Sequence, residues 1–118
     1  MKYIMITGAS SGIGEETARL LARQEDVTTI LVARNEEKLK KLVNEFGGET
    51  KYLVYDLTDI EHIESCFIKC REWGIKLDGL IHCAGIGENM PIRLIQTEHI
   101  KKMYQIHPMA FIELGKFF

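Results

Sequence analysis

The stretch Thr7-Gly8-Ala9-Ser10-Ser11-Gly12-Ile13-Gly14 constrains the fold of this chain more than any other, because it directly follows the apolar run Tyr3-Ile4-Met5-Ile6. A strand that breaks into a glycine turn and leaves as a helix presents unpaired backbone N–H groups at the helix N-terminus. Those donors and the positive end of the helix dipole suit a pyrophosphate. Glycine is needed where such a chain turns sharply, where a phosphate meets the backbone, and where helix packs on strand. Gly8, Gly12 and Gly14 stand in those three places, and Ser10 and Ser11 add hydroxyl donors. The bland alternative is a turn that merely tolerates glycine, but its position after the first strand is the one a dinucleotide fingerprint requires. No Lys-Ser/Thr pair follows, which disfavours a P-loop nucleotidase. A methyltransferase using S-adenosylmethionine usually has an acidic residue ahead of its glycine turn, where this chain has Thr7.

The rest of the chain alternates strand-like runs with helical periodicity. Ile13, Thr17, Ala18, Leu20 and Leu21 predict a helix to about Gln24, and Val27 to Val32 a second buried strand. Asn35 is a suitable N-cap for a helix with Leu39, Leu42, Val43 and Phe46 on its inner face, ended by Gly47-Gly48. Tyr52 to Tyr55 reads as a third strand, and Thr58-Asp59-Ile60-Glu61 as a capping box opening a third helix. Leu77 to Cys83 makes a fourth strand, followed by a loop around Gly85 to Pro91. Thr97 is the expected cap of a last helix carrying Ile100, Met103, Tyr104 and Leu114, bent at Pro108. The order βαβαβαβα implies parallel strands joined by right-handed crossovers, hence an α/β layered sheet in one domain of 118 residues.

Composition excludes more than it identifies. A formal net charge of -2 gives no electrostatic case for nucleic acid or an anionic membrane. No apolar run approaches a membrane span, and no secretory signal opens the chain. The three cysteines, Cys66, Cys70 and Cys83, do not suggest a disulfide framework, so a reducing cytoplasm is expected. His62, Cys66 and Cys70 recur every four residues, but without a paired C-x-x-C the expectation is no metal. Cys70 is expected in the core beside Ile63 and Phe67, with His62 facing water.

The pattern T-G-x-x-x-G-x-G, present as Thr7 to Gly14, resembles the cofactor motif of the short-chain dehydrogenase/reductase family. Ala33-Arg34-Asn35, Asp56-Leu57-Thr58 and His82-Cys83-Ala84-Gly85 follow it in the family's order at successive strand ends. The resemblance covers the whole chain and corresponds to the N-terminal half of the usual family domain. It implies a Rossmann-type doubly wound sheet, truncated at about four strands in the order 3-2-1-4, with the cofactor crevice where strands 1 and 4 part. Gly8, Ser10, Ser11, Gly12, Ile13 and Gly14 would wrap the pyrophosphate and adjoining ribose. Asp56 and Leu57 would meet the adenine, and Cys83, Ala84 and Gly85 would line the cleft by the ribose. The family usually has Asn-Asn-Ala-Gly where this chain has His-Cys-Ala-Gly, so both amides are lost. An acid ending the second strand would accept from a ribose 2′-hydroxyl. Here Ala33 is followed by Arg34 and Asn35, an arrangement that favours NADP(H) over NAD(H).

The family's catalytic parts are a different matter. A phenol with an ordinary pKa near ~10 needs a nearby cation to move a proton near neutrality, and the family supplies it as Tyr-x-x-x-Lys with an upstream Ser. Tyr3, Tyr52, Tyr55 and Tyr104 are followed four residues on by Thr7, Asp56, Asp59 and Pro108. The serines are Ser10, Ser11 and Ser65, none where a catalytic serine would stand. His107 falls where the family has an Asn, and a helix-face histidine with no task is the alternative. The expectation is therefore the NADP(H)-binding portion of an oxidoreductase whose small-molecule substrate is a carbonyl or alcohol. The alternative is a non-catalytic NAD(P)-binding sensor or scaffold. Leu80 and Ile81 would leave the fourth strand as an apolar sheet edge, so self-association through that edge is expected.

Overall fold

The structure is a computed structural model that describes residues 1–84 and 96–118. Strands β1 (Lys2–Thr7), β2 (Val27–Ala33), β3 (Lys51–Val54) and β4 (Gly79–His82) form one sheet in the order β3-β2-β1-β4. All three pairings are parallel, with Ile6 opposite Leu31 on one side and Ile81 on the other. The four-stranded Rossmann-type sheet expected from the sequence is the one observed.

Burial on both faces follows from the period of two along β2. Ile30 and Val32 join Met5, Ile63, Cys66, Phe67, Cys70, Ile106, Ala110 and Leu114 on one face. Leu31 and Ala33 join Ile6, Ala9, Ala18, Leu39 and Leu42 on the other. Helices α1 (Gly12–Ala22) and α2 (Glu36–Phe46) cover the second face. Helices α3 (Glu64–Glu72) and α5 (Ala110–Phe117) cover the first, where the rings of Phe67 and Phe117 meet at 6.2 Å. Cys70 lies in that core and the His62 ring is exposed beside Asp59, as anticipated. Burial raises the Cys66 thiol to about 12 and raises Cys70, so both are neutral packing groups.

Asn35 caps α2 as expected, its side-chain oxygen accepting from the Lys38 amide at 3.1 Å. Two other helix starts differ from the sequence reading. The Thr58 hydroxyl and amide both donate to Asp56 Oδ1, at 2.8 and 3.0 Å, so Thr58 closes a turn on Asp56 instead of opening a helix. The chain passes through a short 3₁₀ turn, Ile60–His62, and α3 begins only at Glu64. The helix α4 (Thr97–Tyr104) is capped one residue early, by Gln96, whose backbone N–H donates to His99 Nδ1 at 3.1 Å. Strand β4 is also shorter than Leu77 to Cys83. The expected loop from Gly85 to Pro91 lies outside the described residues.

Pro108 sits in a five-residue π-turn, Gln105–Met109, between α4 and α5. Proline has no N–H to continue an α-helix, and the wider turn absorbs the loss. The Ala110 amide, which an α-helix would send to Ile106, goes to the carbonyls of Gln105 and His107 instead. The Ile106 carbonyl thereby becomes available to a partner outside the helix.

Candidate functional site

The site lies at the C-terminal ends of β1, β2 and β4, and its shape is set by how tightly the glycine turn packs. Gly8 has φ +67°, and a Cβ there would stand 2.6 Å from the backbone of Ala84. Gly14, in the first turn of α1, packs against the glycine turn itself, where a Cβ would lie 2.0 Å from the Gly8 carbonyl oxygen. Gly12 has φ +55° but open space before it. Two glycines thus serve close backbone contact and one faces outward. Ser11 is the N-cap residue of α1, yet its side chain makes no capping hydrogen bond, so no N-cap side chain claims the first-turn amides.

Thr7 is the hub that joins β1 to β4. Its hydroxyl oxygen accepts from the amides of Cys83 (3.1 Å) and Ala84 (3.2 Å) and lies 2.7 Å from His82 Nδ1. The far ring nitrogen, His82 Nε2, is 3.0 Å from the Ile106 carbonyl oxygen that the π-turn releases. The His82 ring also packs 5.8 Å from that of Phe111. The amides lost from the family's Asn-Asn pair are thus replaced, at His82, by an imidazole with partners on both nitrogens. That role was invisible in the sequence, since Thr7 and His82 are 75 residues apart.

One cleft gathers Gly8, Ser10, Ser11, Ala33, Arg34, Leu57 and Ala84, with Tyr55 and Ile106 beside them. Asp56 stands next to it. Partial burial pushes its carboxyl up, but the Thr58 amide and hydroxyl, then Arg34 and Lys102, outweigh burial and hold it below the ordinary carboxylate value. Tyr55 is the residue the sequence reading missed. Burial, then the charge of Asp59, raises its phenol, and the hydroxyl donates to the Asp59 carbonyl at 2.5 Å. It is a fixed wall of the cleft rather than a proton donor. Asn35 is not among the lining residues, because its side chain is spent on the α2 cap.

A second cavity, about 470 Å³, is lined by Ile13, His82, Cys83, Ala84, His107, Pro108 and Phe111. Ala84 borders both spaces, so the two meet at the end of β4. Gly14 is buried beneath the turn and Gly85 lies outside the described residues. Among the described residues no three His, Cys, Asp or Glu side chains come together as a metal site. No helix among them is long and apolar enough to cross a membrane.

The sequence pattern of the short chain dehydrogenase family matches residues 2–117. This chain belongs to that family. A benzil reductase that forms (S)-benzoin, from Saccharomyces cerevisiae, is 35% identical over 119 residues, spanning 96% of this chain and 44% of that protein. Among solved structures, an alcohol dehydrogenase from the archaeon Thermococcus sibiricus, complexed with 5-hydroxy-NADP, superposes with a TM-score of 0.86 at 31% identity. It is covered over 52% of its length by the whole of this chain. The L-sorbose reductase of Gluconobacter frateurii, complexed with NADPH and L-sorbose, gives a TM-score of 0.85 at 28% identity over 98% of this chain and 45% of its own. The short-chain dehydrogenase chain described here therefore spans about half the length of the relatives it matches.

Proposed function

We propose that these 118 residues form one dinucleotide-binding domain that holds NADP(H), as the cofactor portion of an oxidoreductase acting on a carbonyl or alcohol. The observation that carries this reading is the single cleft uniting the glycine turn with Arg34, Leu57 and Ala84. The residues present fit the group: Gly12 leaves open space where a Cβ would stand, and the first amides of α1 have no side-chain cap. Gly8, Ser10, Ser11, Gly12, Ile13 and Gly14 build the pyrophosphate turn, with Gly14 acting by packing. Arg34 meets the 2′-phosphate, with Asn35 holding the helix behind it. Asp56 and Leu57 take the adenine, and Cys83, Ala84 and Gly85 the ribose side. The bound nicotinamide supplies hydride, and the cavity beside His82 and His107 receives the group that exchanges it.

Arg34 is exposed at the end of β2, where it faces no carboxylate on its own strand. A guanidinium–phosphate pair is worth about 1.5–3 kcal/mol, or about ten- to hundredfold in affinity. Titration by NADPH and NADH fluorescence should therefore show NADPH bound more tightly. Arg34→Asp should weaken NADPH by that factor while sparing NADH. Equal affinities in the parent chain, or an unchanged preference in the variant, would reject NADP(H).

A second reading is a non-catalytic NAD(P)-binding sensor or scaffold. It is favoured by the absence from these residues of any tyrosine followed four residues on by lysine. The two readings share the binding site and part over turnover, which oxidation of NADPH with a panel of carbonyl compounds would reveal. Self-association through β4, which is an edge of the described sheet, belongs to the same proposal. Sedimentation at increasing concentration should show dimer, and a monomer at all concentrations would remove that part. The three free thiols fit a cytoplasmic setting.

A further inference from the structure

The hydrogen bonds around His82 leave one consistent arrangement of protons. The Ile106 carbonyl can only accept, so His82 Nε2 carries a proton. The amides of Ala84 and of Cys83 (the latter shared with the Thr7 carbonyl at 3.2 Å) both donate to the Thr7 hydroxyl oxygen. The single hydroxyl proton must then go to His82 Nδ1 at 2.7 Å. With Nδ1 accepting, the ring proton sits on Nε2 and is donated to the Ile106 carbonyl at 3.0 Å. An imidazolium would place a third N–H against a hydroxyl oxygen that two amides already face.

We propose that His82 is a positioning residue whose neutral ring, protonated on Nε2, ties the glycine turn through Thr7 to Ile106 in the π-turn, and keeps the cofactor cleft in shape only while uncharged. This inference rests on the cofactor reading given above for its effect on binding, but not for its effect on the ring. The groups around the ring agree with it. Burial disfavours the charged form, the Ile106 and His107 carbonyls favour it, and the charge of a protonated His107 opposes it, leaving the pKa below the ordinary value. Phe111 from α5 presents an apolar ring, Thr7 from β1 is uncharged, and Cys83 is the neighbour along the chain. Among the described residues His107 is the titratable group that acts on His82 from another element.

The sign of the pH effect follows. Because the folded value lies below the unfolded one of about 6.5, the unfolded chain takes the proton first. Stability contributed by His82 is present above about pH 6.5 and lost as pH falls toward the folded value. Cofactor binding weakens once His82 itself is protonated, approaching tenfold per pH unit below its pKa as the competent fraction shrinks.

The ring is read directly by ¹⁵N NMR of the imidazole at pH 7.5. A bare Nδ1 with a protonated Nε2 is expected, and the opposite tautomer or an imidazolium would overturn the proposal whether or not any cofactor binds. NADPH affinity is then measured from pH 5 to 8 for the chain and for His82→Asn, whose amide oxygen can accept from Thr7 but never ionises. Their ratio cancels titration of the 2′-phosphate. The parent chain should lose affinity relative to the variant as pH falls, and a constant ratio would overturn the proposal. If neither protein binds NADPH, the cofactor reading fails and the tautomer alone decides the role of His82. If the variant does not fold, the Gly8 and Ala84 amide resonances of the parent are followed instead. They should move with the midpoint of His82, and titration independent of it would count against the proposal.

Discussion

Replacing Gly14 with alanine should cost about 3 kcal/mol or more and disorder the turn that the family motif is built on. Helix propensity alone predicts the opposite, since Ala is favoured over Gly by about 1 kcal/mol inside a helix. The clash decides the sign. A Cβ on Gly14 would sit 2.0 Å from the Gly8 oxygen and 2.7 Å from the Gly8 carbonyl carbon, both backbone atoms. Gly8 cannot retreat, because its own Cβ direction is already closed by Ala84 and Cys83. Gly12→Ala is the control. It meets open space and carries only the strain of φ +55°, about 1–2 kcal/mol. Urea unfolding of the two variants should separate them clearly, and a Gly14→Ala chain as stable as the parent would mean that this packing is wrong.

Thr7→Val should destabilise the chain by about 2–4 kcal/mol, although it preserves size and branching. The methyl that replaces the hydroxyl leaves the Ala84 amide and His82 Nδ1 without the partner they have now. Each such loss in a buried setting costs about 1–3 kcal/mol. Cys83 suffers less, because its amide also reaches the Thr7 carbonyl at 3.2 Å. Thr7→Ser keeps the hydroxyl and gives up one methyl, so it should lose only about 1 kcal/mol. Thermal melting of the pair checks the point: equal losses would mean that the hydroxyl does not serve as a hub.

The fold was largely legible because its signals are local. The alternation Ile30-Leu31-Val32-Ala33 places side chains on two faces of β2, and both faces are buried as the apolar run requires. The glycine turn was legible for the same reason, its three glycines lying within seven residues of one another. What escaped were choices between competing partners. Thr58 has the right spacing for a helix cap, but it closes a turn on Asp56, two residues earlier, to which its hydroxyl and amide both donate. Thr97 lost the cap to Gln96 through a histidine three residues on. Pro108 marked a disturbance in the last helix without telling that an i→i+5 turn would absorb it. The hub of Thr7, His82 and Ile106 joins three distant segments, and no spacing in the sequence announces such contacts.

The π-turn at Gln105–Met109 decides which way the last helix faces. A π-turn holds one residue more than the α-helical turn it replaces. Winding the same residues into an ordinary α-helical turn would let α4 and α5 run on as a single regular helix, which looks like an improvement. It would also rotate everything downstream by about 100°, the angle per residue of an α-helix. Ala110 and Leu114, now fully buried against the sheet, would swing toward solvent, and Glu113 would turn toward the place that Leu114 fills. The irregularity is therefore a phase setting, and the longer count keeps the last helix facing the right way.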